Sequence, residues 1–399
     1  MNPRLDSLLP YPFERLNALK QGITPAPGLA HIALSIGEPK HEPPDFVVAR
    51  LTDTPLLRKD LSTYPATRGS LELRRSIASW VTNRFGAVIN AETEVLPVAG
   101  TREALFSFGL ATLTGASGKL AILPNPFYQI YEGAALLGGA TPWYVPSDPH
   151  NSYLPDFESI PIEVWKRTEL FFLCSPSNPT GVVLPVSRLQ WLIEQAHRYD
   201  FVIAADECYS EIYLHETSPP AGLLEASHLM GNRGHRHCVV FHSLSKRSNL
   251  PGLRSGFVAG DAGILDRYFL YRTYEGCALP THVQAASTLA WQDEGHVRAN
   301  RQAYREKFEL TRALAPSAAP KQDPEGGFYW WVPTYGDDET FARALFAAEN
   351  ITVLPGSYLG RPGQGGVNPG SNHVRIAWVA SIAECRDAAV RLQRFITSR

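Results

Sequence analysis

Short apolar runs alternate with helix-like stretches through the middle of the chain, and this alternation constrains the fold more strongly than any other feature. The apolar runs lie at residues 120–123, 170–174, 201–205, 239–242 and 257–259. Uninterrupted apolar runs of this length are typical of strands that are buried on both faces of a sheet. Helical patterns lie beside them, at 101–113 and 186–198. The alternation therefore predicts an α/β fold with a mostly parallel sheet.

The sequence pattern changes near both ends of the chain, and a length of 399 residues allows two or three domains. The proline-rich N-terminus predicts an irregular arm outside the sheet. A long charged helical pattern at 294–314 precedes two further strand-like runs. We expect an N-terminal arm with part of the small domain at 1–44, a large domain at 45–285 and a small α+β domain at 286–399.

Composition excludes several classes of function. The chain has 37 Lys and Arg against 39 Asp and Glu, so its formal net charge of −2 provides no overall field that attracts nucleic acid or an anionic membrane. No apolar run approaches the roughly 18 to 20 residues that cross a bilayer, and the N-terminus lacks the apolar core of a signal peptide. We expect a cytoplasmic protein that binds neither nucleic acid nor membrane.

Motifs that serve metals, nucleotides and serine hydrolysis are missing. The five cysteines include no Cys-x-x-Cys pair, which predicts reduced, mostly buried thiols. His235 and His237 have no third ligand nearby, so we expect no metal site. Residues 115–119 have the wrong spacing for a P-loop, no Gly-x-Gly-x-x-Gly follows a predicted strand, and no Gly-x-Ser-x-Gly elbow is present.

Polar residues directly follow the apolar run at 239–242. Ser243 and Lys246 come at its end, and Arg254 follows eight residues after the lysine. In open α/β sheets, ligands bind beyond the carboxyl ends of the strands. A desolvated lysine can lose its proton and bond covalently to an aldehyde, and an arginine binds phosphate as a fork. A single lysine at a strand end is more often a solvated surface residue, so this interpretation needs further groups.

Three other segments supply such groups. Asp206 follows the run 201–205 and could hold a pyridinium nitrogen protonated, although such an aspartate is also commonly a helix cap or a metal ligand. Tyr209 follows three residues later. Asn178 lies in a turn-rich stretch, where it could equally be a turn residue. Gly100 precedes a helical pattern whose free N–H groups would attract phosphate.

Ordered motifs across nearly the whole chain resemble those of the class I and II aminotransferases, which have the type I fold of pyridoxal phosphate enzymes. The motifs are Ser35-Ile-Gly-Glu-Pro39, Tyr64-Pro-Ala-Thr-Arg-Gly69, Ala99-Gly-Thr101, Asn125-Pro-Phe-Tyr128, Asn178-Pro-Thr-Gly181, Asp206-Glu-Cys-Tyr209, Ser243-Leu-Ser-Lys246, Arg254 and Val374-Arg375. The resemblance implies a large domain with a mostly parallel seven-stranded sheet, a smaller α+β domain, and pyridoxal 5'-phosphate as the cofactor. It also implies amino acid and 2-oxo acid substrates.

The resemblance assigns roles to the motif residues. Lys246 would bind the cofactor aldehyde covalently and later move the proton of the substrate α-carbon. Asp206 would pair with the pyridine nitrogen, and Tyr209 and Asn178 would hydrogen-bond the phenolic oxygen. Catalysis would therefore depend on Lys246, Asp206 and Tyr209. The cofactor-binding residues would be Tyr64, Gly100, Thr101, Arg102, Tyr128, Asn178, Asp206, Tyr209, Ser243, Lys246 and Arg254.

The same resemblance implies how substrate and subunits are held. Arg375 matches the arginine that grips the substrate α-carboxylate as a bidentate fork, and Gly37 and Asn178 would complete the substrate site. Tyr64 would reach the phosphate of the neighbouring subunit, which implies a homodimer with shared active sites.

At two positions the family pattern is either not followed or leaves the assignment open. Tyr128 would stack on the cofactor ring, although the neighbouring Phe127 could take that position instead. Ser255 stands where an aliphatic residue is usual, which should affect packing more than chemistry.

Three segments, 1–16, 271–278 and the glycine-rich 360–370, resemble the proteobacterial succinyldiaminopimelate aminotransferases of lysine biosynthesis. That resemblance implies interconversion of N-succinyl-LL-2,6-diaminopimelate and 2-oxo-6-(succinylamino)pimelate, with glutamate and 2-oxoglutarate as the other pair. Arg272 and Arg68 are candidates for the distal contact. By composition, 360–370 predicts a mobile surface loop.

Alternatives remain open. Another class I or II aminotransferase, for aspartate, aromatic amino acids or acetylornithine, would have the same cofactor residues, and so would a pyridoxal phosphate C–S lyase. Amino transfer to 2-oxoglutarate would separate these from a lyase, which releases pyruvate from a thioether amino acid. A binding protein that merely retains the cofactor is less favoured, because Arg375 and Gly37 would serve a substrate.

Overall fold

The strands form three sheets in the computed structural model, which describes residues 1–398. In chain order the strands are β1 (Ile32–Ala33), β2 (Val95–Val98), β3 (Leu120–Asn125), β4 (Thr141–Pro146), β5 (Thr168–Cys174), β6 (Val202–Asp206), β7 (Cys238–Ser243), β8 (Gly256–Gly260), β9 (Tyr329–Pro333), β10 (Ile351–Thr352), β11 (Leu354–Pro355) and β12 (His373–Ala377). The main sheet has the order β2-β8-β7-β6-β5-β3-β4. Its pairs are parallel except those that β8 makes with β2 and β7. The predicted mostly parallel, seven-stranded sheet is confirmed.

Helices cover both faces of the main sheet. In chain order the helices are α1 (Pro12–Lys20), α2 (Asp45–Thr52), α3 (Thr54–Asp60), α4 (Leu71–Phe85), α5 (Thr101–Thr112), α6 (Gln129–Leu137), α7 (Ile162–Trp165), α8 (Val186–Tyr199), α9 (Leu223–Leu229), α10 (Leu244–Arg247), α11 (Ala262–Glu275), α12 (Thr281–Gln292), α13 (Gly295–Leu314), α14 (Asp338–Glu349) and α15 (Ile382–Thr397). Side chains alternate along β6, so Ile203 packs in one apolar core and Ala204 in the other. Leu189, Leu192 and Ala196 recur at helical spacing in α8 and are buried in the first core. Among residues 1–398, no helix is both long and apolar enough to cross a membrane.

The two smaller sheets have an apolar core of their own. β11, β12 and β9 form an antiparallel sheet, and β1 pairs with β10 in parallel. Trp330 of β9 and Ile376 of β12 pack with Leu345 of α14 and Leu392 of α15 in this core. The division of the chain at residues 44/45 and 285/286 stays a prediction.

The N-terminal arm lies outside the main sheet, as expected, but it is not irregular throughout, which corrects part of the expectation drawn from its prolines. It contains α1, and its strand β1 belongs to a small sheet. Pro12 is the first residue of α1, where a missing N–H breaks no helical hydrogen bond. Leu16 of this helix packs on Leu354 and Leu359, so the arm is fixed beside the small sheets.

The glycine-rich segment 360–370 lies at the surface, as its composition predicts, but its ends are anchored. Arg361 pairs with Glu132 of α6 at 2.6 Å, and the side chain of Asn125 donates to the main-chain oxygen of Arg361 at 2.8 Å. The side chain of Asn368 donates to the main-chain oxygen of Ser357 at 3.0 Å. Residues 364–367, between these anchors, are exposed.

One edge of the main sheet gathers polar residues from several strands. The carboxyl ends of β2, β5, β6 and β7 lie there, because these strands run in parallel. β8 runs in the opposite direction and begins at the same edge, where Gly256 is in register with Ser243 and with Val98. Asp206 is in register with Cys174 of β5. Residues adjoining these ends therefore converge although they are far apart in sequence.

Candidate functional site

A cleft of about 520 Å³ lies at this edge of the sheet. Eleven of the site residues expected from the sequence line it: Gly37, Thr101, Arg102, Tyr128, Asn178, Asp206, Tyr209, Ser243, Lys246, Arg254 and Arg375. Gly100 directly precedes the lining residue Thr101, and Tyr64 lies outside the cleft with its side chain fully exposed. The fold thus brings the residues assigned by the family motifs, except Tyr64, to a single place.

Lys246 lies in α10, immediately after β7, and its half-buried side chain lines the cleft. Its Nζ donates a hydrogen bond to the main-chain oxygen of Gly37 at 2.5 Å. Burial, together with the nearby charge of Arg375 and against the opposing effects of Cys208 and acidic groups, lowers the pKa of Lys246 to about 8. About a tenth of this amine is therefore unprotonated at pH 7, which provides the form that a nucleophile or a base requires.

The carboxylate of Asp206 ends β6 and is buried beneath the cleft. It accepts hydrogen bonds from the Tyr131 hydroxyl at 2.6 Å and from the main-chain N–H of Cys208 at 3.2 Å. Burial raises the pKa of Asp206, although these hydrogen bonds favour its ionised form. A buried acid of this kind is best stabilised by a cationic partner.

The start of α5 and the turn before β8 meet in a corner that is rich in hydrogen-bond donors and that we call the anion-binding corner, after the ligand it suits. Gly100 precedes α5 with φ of 93°, and a Cβ there would collide with the guanidinium of Arg254. No side chain caps this helix, so its first N–H groups have no capping partner, and its first residue, Thr101, lines the cleft. Ser243 and Ser245 line the same corner, where the Ser243 hydroxyl accepts from the Ser245 N–H at 3.0 Å. Hydroxyls, free N–H groups and a guanidinium together suit a phosphate.

Arg375 reaches the cleft from β12 of the small antiparallel sheet and is buried. It donates to the side-chain oxygen of Asn178 at 2.8 Å and to the main-chain oxygen of Ser35 at 2.7 Å. Its Nε is buried and has no hydrogen-bond partner among residues 1–398. Its guanidinium lies 4.4 Å from the centroid of the Tyr329 ring. A buried guanidinium with an unpaired N–H is suited to a carboxylate ligand.

Tyr329 and Tyr131 line the cleft but were not among the residues expected from the sequence. The hydroxyls of Tyr329 and Tyr209 are 2.8 Å apart, and a Cβ on Gly37 would collide with the Tyr329 hydroxyl. The only sequence signal for Tyr131 was its closeness to the expected Tyr128, against which its ring packs edge-on with centroids 5.7 Å apart. Tyr329 lies in β9, and its place beside Gly37 depends on long-range packing that sequence periodicity does not report.

The structure distinguishes between the two aromatic residues that could stack on a cofactor. Tyr128 lines the cleft. Phe127 is buried and stacks on Tyr144, with ring centroids 5.5 Å apart. Ser255 is also buried, and its hydroxyl accepts a hydrogen bond from Ser287 at 2.7 Å, which satisfies the polar group that replaces an aliphatic side chain.

Arg272 and Arg68 do not line the cleft, which corrects their expected contact with the distal end of a substrate. The Arg272 guanidinium is buried, paired with Glu103, and donates to the main-chain oxygen of Cys277 at 2.9 Å. The Arg68 guanidinium lies 4.0 Å from the Phe269 ring centroid, and it donates a hydrogen bond to a main-chain oxygen outside the cleft. The sequence shows that these residues are charged but not which partners neutralise them.

The donor set of the cleft fits pyridoxal 5'-phosphate. This molecule presents an aldehyde, a basic ring nitrogen, a phenolic oxygen and a phosphate. The cleft offers a half-buried amine of lowered pKa, a buried carboxylate, and the anion-binding corner beside Gly100. Among residues 1–398, no three His, Cys, Asp or Glu side chains are grouped as a metal site would require.

Comparisons with known proteins agree with this chemistry. The family model for aminotransferase class I and II matches residues 30–392. The LL-diaminopimelate aminotransferase of Syntrophobacter fumaroxidans is 32% identical over 98% of this chain and 97% of its own length. An LL-diaminopimelate aminotransferase of Nitratidesulfovibrio vulgaris is 31% identical over 91% and 92%.

Solved structures extend the likeness to three dimensions. An aminotransferase from Neisseria meningitidis superposes with a TM-score of 0.93 at 46% identity, and the match covers all of both chains. Aminotransferase AspB from Helicobacter pylori gives a TM-score of 0.89 at 36% identity, with 98% of this chain and 99% of that chain covered. The chain belongs to the class I and II aminotransferase family.

Proposed function

We propose that this chain is an aminotransferase of lysine biosynthesis that converts N-succinyl-LL-2,6-diaminopimelate and 2-oxoglutarate to 2-oxo-6-(succinylamino)pimelate and glutamate, and back. Members of its family use pyridoxal 5'-phosphate. The observation that carries the proposal is the presence, in one cleft, of the half-buried Lys246 amine with its lowered pKa and the buried Arg375 guanidinium. The first can move a proton, and the second can hold a carboxylate beside it.

The remaining residues of the cleft are proposed to hold the cofactor. When bound, pyridoxal phosphate supplies an electron sink for the charge left on the substrate α-carbon. Asp206 keeps the ring nitrogen protonated, and Asn178 and Tyr209 donate hydrogen bonds to the phenolic oxygen. Tyr128 packs on the ring. The phosphate is held by Gly100, Thr101, Arg102, Ser243 and Arg254, the first three of them through main-chain N–H groups.

Proton transfer is assigned to Lys246. Its unprotonated amine would remove the α-proton of the amino acid and return a proton to the carbon of the cofactor that carried the aldehyde. The main-chain oxygen of Gly37 holds the free amine at 2.5 Å and so orients it. Arg375 grips the α-carboxylate of amino acid and 2-oxo acid alike, so one contact serves both directions of the reaction.

Arg102 is proposed to bind the distal acidic end of the substrate. Its guanidinium lies 5.2 Å from the ring centroid of Tyr11 at the mouth of the cleft. Unlike Arg272, Arg102 makes no ion pair with a carboxylate within residues 1–398. Tyr11 and Phe13 bring the arm to this mouth, and residues 1–16 are one of the segments that resemble the succinyldiaminopimelate enzymes. The succinyl carboxylate of the substrate would pair with the Arg102 guanidinium here.

Unmodified LL-diaminopimelate is the second candidate substrate. The relatives from Syntrophobacter fumaroxidans and Nitratidesulfovibrio vulgaris are named for that substrate. Glu38 also lines the cleft, is exposed, and forms no ion pair in the described part of the chain. Its carboxylate suits the free distal ammonium group that succinylation removes.

A panel of amino donors with 2-oxoglutarate tests the proposal. The donors are N-succinyl-LL-2,6-diaminopimelate, LL-2,6-diaminopimelate, aspartate, phenylalanine and acetylornithine, and glutamate formation is measured. The highest kcat/KM for the succinylated donor supports the proposal, and a preference for another donor overturns the substrate assignment. Pyruvate release from cystathionine without glutamate formation would overturn aminotransfer in favour of C–S bond cleavage.

A homodimer with shared sites is also proposed. Tyr64 is fully exposed and lies outside the cleft of its own chain. An exposed tyrosine at this position is available to the phosphate corner of a second copy.

A further inference from the structure

Asn300 of α13 is buried, and its side-chain amide is fully hydrogen-bonded. Its Nδ2 donates to the main-chain oxygens of Lys246 at 3.2 Å and Arg247 at 3.3 Å. Its Oδ1 accepts from the Asn249 amide at 2.9 Å and lies 2.8 Å from Nδ1 of His41. One amide group therefore joins the helical turn that carries Lys246 to the N-terminal arm.

Lys307 fixes the direction of these hydrogen bonds. Its Nζ lies 2.6 Å from Nε2 of His41 and 3.3 Å from the main-chain oxygen of Val379, to which it donates. An ammonium group has no lone pair, so Nε2 of His41 accepts and Nδ1 carries the hydrogen that is donated to Asn300. Burial and the charge of Lys307 both lower the pKa of His41, which favours the neutral ring that this arrangement needs.

The same amide anchors both ends of the contact that orients the Lys246 amine. The Nζ of Lys246 donates to the main-chain oxygen of Gly37, which lies four residues before His41. The Lys246 main chain is held by Asn300 directly, and the arm that presents Gly37 is held through His41. The His41 ring also packs on Tyr304, with centroids 4.6 Å apart, so the arm has little freedom to shift here.

We propose that His41 and Asn300 are positioning residues for Lys246, acting as a clamp between its main chain and the Gly37 oxygen. The inference rests on the proposed function, because it takes Lys246 as the group that moves the proton. Neither residue lines the cleft, so both act through Lys246 and do not touch substrate. A misplacement of a base by about 1 Å can slow a reaction by about 100-fold, so a clamp of this kind has a measurable effect on rate.

The test uses the pyridoxal-phosphate-loaded enzyme and three variants of histidine. His41→Leu removes both hydrogen bonds of the ring, whereas His41→Gln retains an acceptor for Lys307 and a donor for Asn300. His31→Leu is the matched control, because His31 also lies in the arm and bonds Thr352 at 2.8 Å but has no link to Lys246. The readouts are the pH titration of the visible absorbance and the exchange of the glutamate α-proton in heavy water.

His41→Leu is expected to shift the midpoint of the pH titration by about 0.5 unit or more and to slow α-proton exchange by about 10-fold, with KM for glutamate changed by less than about 2-fold. His41→Gln should restore most of the wild-type rate, and His31→Leu should match wild type. An unchanged midpoint and exchange rate in His41→Leu would overturn the clamp, and so would a His41→Gln variant as impaired as His41→Leu.

Two further results distinguish failure of the clamp from failure of a variant to fold and from failure of the proposed function. If His41→Leu fails to fold, seen as the loss of its thermal transition, Asn300→Ser tests the same clamp with the smaller expected distortion, and wild-type titration and exchange there would also overturn it. If the wild-type enzyme forms no covalent link between Lys246 and the cofactor, the proposed function fails instead, whatever the histidine variants do.

Discussion

Arg375 donates a 2.8 Å hydrogen bond to the side-chain oxygen of Asn178, although the two residues are 197 positions apart and lie beside different sheets. The amide nitrogen of Asn178 has no partner among residues 1–398 and stays available as a donor. A single amide could therefore contact with its oxygen the arginine that is proposed to bind the substrate carboxylate, and with its nitrogen an oxygen of the proposed cofactor. This contact would link the proposed carboxylate site to the proposed cofactor site.

Replacing Arg375 by alanine should raise KM for amino acids and 2-oxo acids. A charge-assisted bidentate contact of this kind contributes about 2 to 4 kcal/mol, and its loss falls on carboxylate binding. Steady-state kinetics with glutamate and 2-oxoglutarate measure the effect. Arg375→Lys retains the charge but not the bidentate geometry, so its KM values should lie between those of the wild type and those of Arg375→Ala. Unchanged KM values in Arg375→Ala would refute the carboxylate role.

Replacing Asp206 by asparagine should weaken cofactor binding and lower turnover by about 100-fold, because the ring nitrogen loses its charged partner. Spectroscopic titration with pyridoxal phosphate and kcat measurements report the two effects. Asp200→Asn is the matched control, since that carboxylate is 92% exposed and lies six residues earlier. A normal turnover in Asp206→Asn would contradict the proposed role.

The rate at which the cofactor-free enzyme takes up pyridoxal phosphate should rise with pH and level off above about pH 9. With the pKa of Lys246 lowered to about 8 by burial, about a tenth of the amine is unprotonated at pH 7 and about nine tenths at pH 9. Stopped-flow absorbance between pH 6 and 10 gives the profile, and borohydride reduction with peptide mapping identifies the lysine. Labelling of Lys307, whose pKa burial also lowers to about 8, would contradict the assignment.

Replacing Arg102 by alanine should raise KM for the succinylated donor by about 10-fold and leave KM for LL-2,6-diaminopimelate nearly unchanged, because only the first carries the additional carboxylate. Parallel kinetics with the two donors measure the difference. Arg68→Ala serves as the control, because that side chain is partly exposed outside the cleft. Equal effects of Arg102→Ala on the KM of both donors would show that this guanidinium does not bind the additional carboxylate of the succinylated donor.

Tyr64→Phe should weaken cofactor binding by about 5-fold through the loss of one hydrogen bond to phosphate. Equilibrium dialysis of pyridoxal phosphate measures the change, and sedimentation should show a dimer for both wild type and variant. Tyr274→Phe, another exposed tyrosine outside the cleft, is the control. A monomeric wild type that retains its full affinity for cofactor would disprove the shared site.

The main sheet and its polar edge could be predicted from the sequence because their signals are local. β5, β6 and β7 each contain a short apolar run, Asp206 ends β6, and Lys246 follows the end of β7 by three residues. Parallel strands place such ends at one edge, so convergence of the side chains follows from the strand pattern and the family motifs together.

The parts that escaped prediction depend on contacts between distant segments. Tyr329 lies beside Gly37 because the small sheet packs over the arm, and Arg272 is neutralised by Glu103, 169 residues away. Neither contact produces a periodic pattern in the sequence. The arm was misjudged for a different reason, because proline content alone does not reveal that Pro12 occupies the first position of a helix.

The reversed direction of β8 limits how this protein can vary. Residues 247–253, here called the return path, lie between β7 and β8. They allow β8 to begin at the edge of the sheet where β7 ends, with Gly256 opposite Ser243. An insertion of one residue there that slipped this pairing would turn the inward and outward faces of β8 around and carry Arg254 away from its corner. Changes of length should therefore be tolerated in the exposed residues 364–367, whereas the return path has a fixed length.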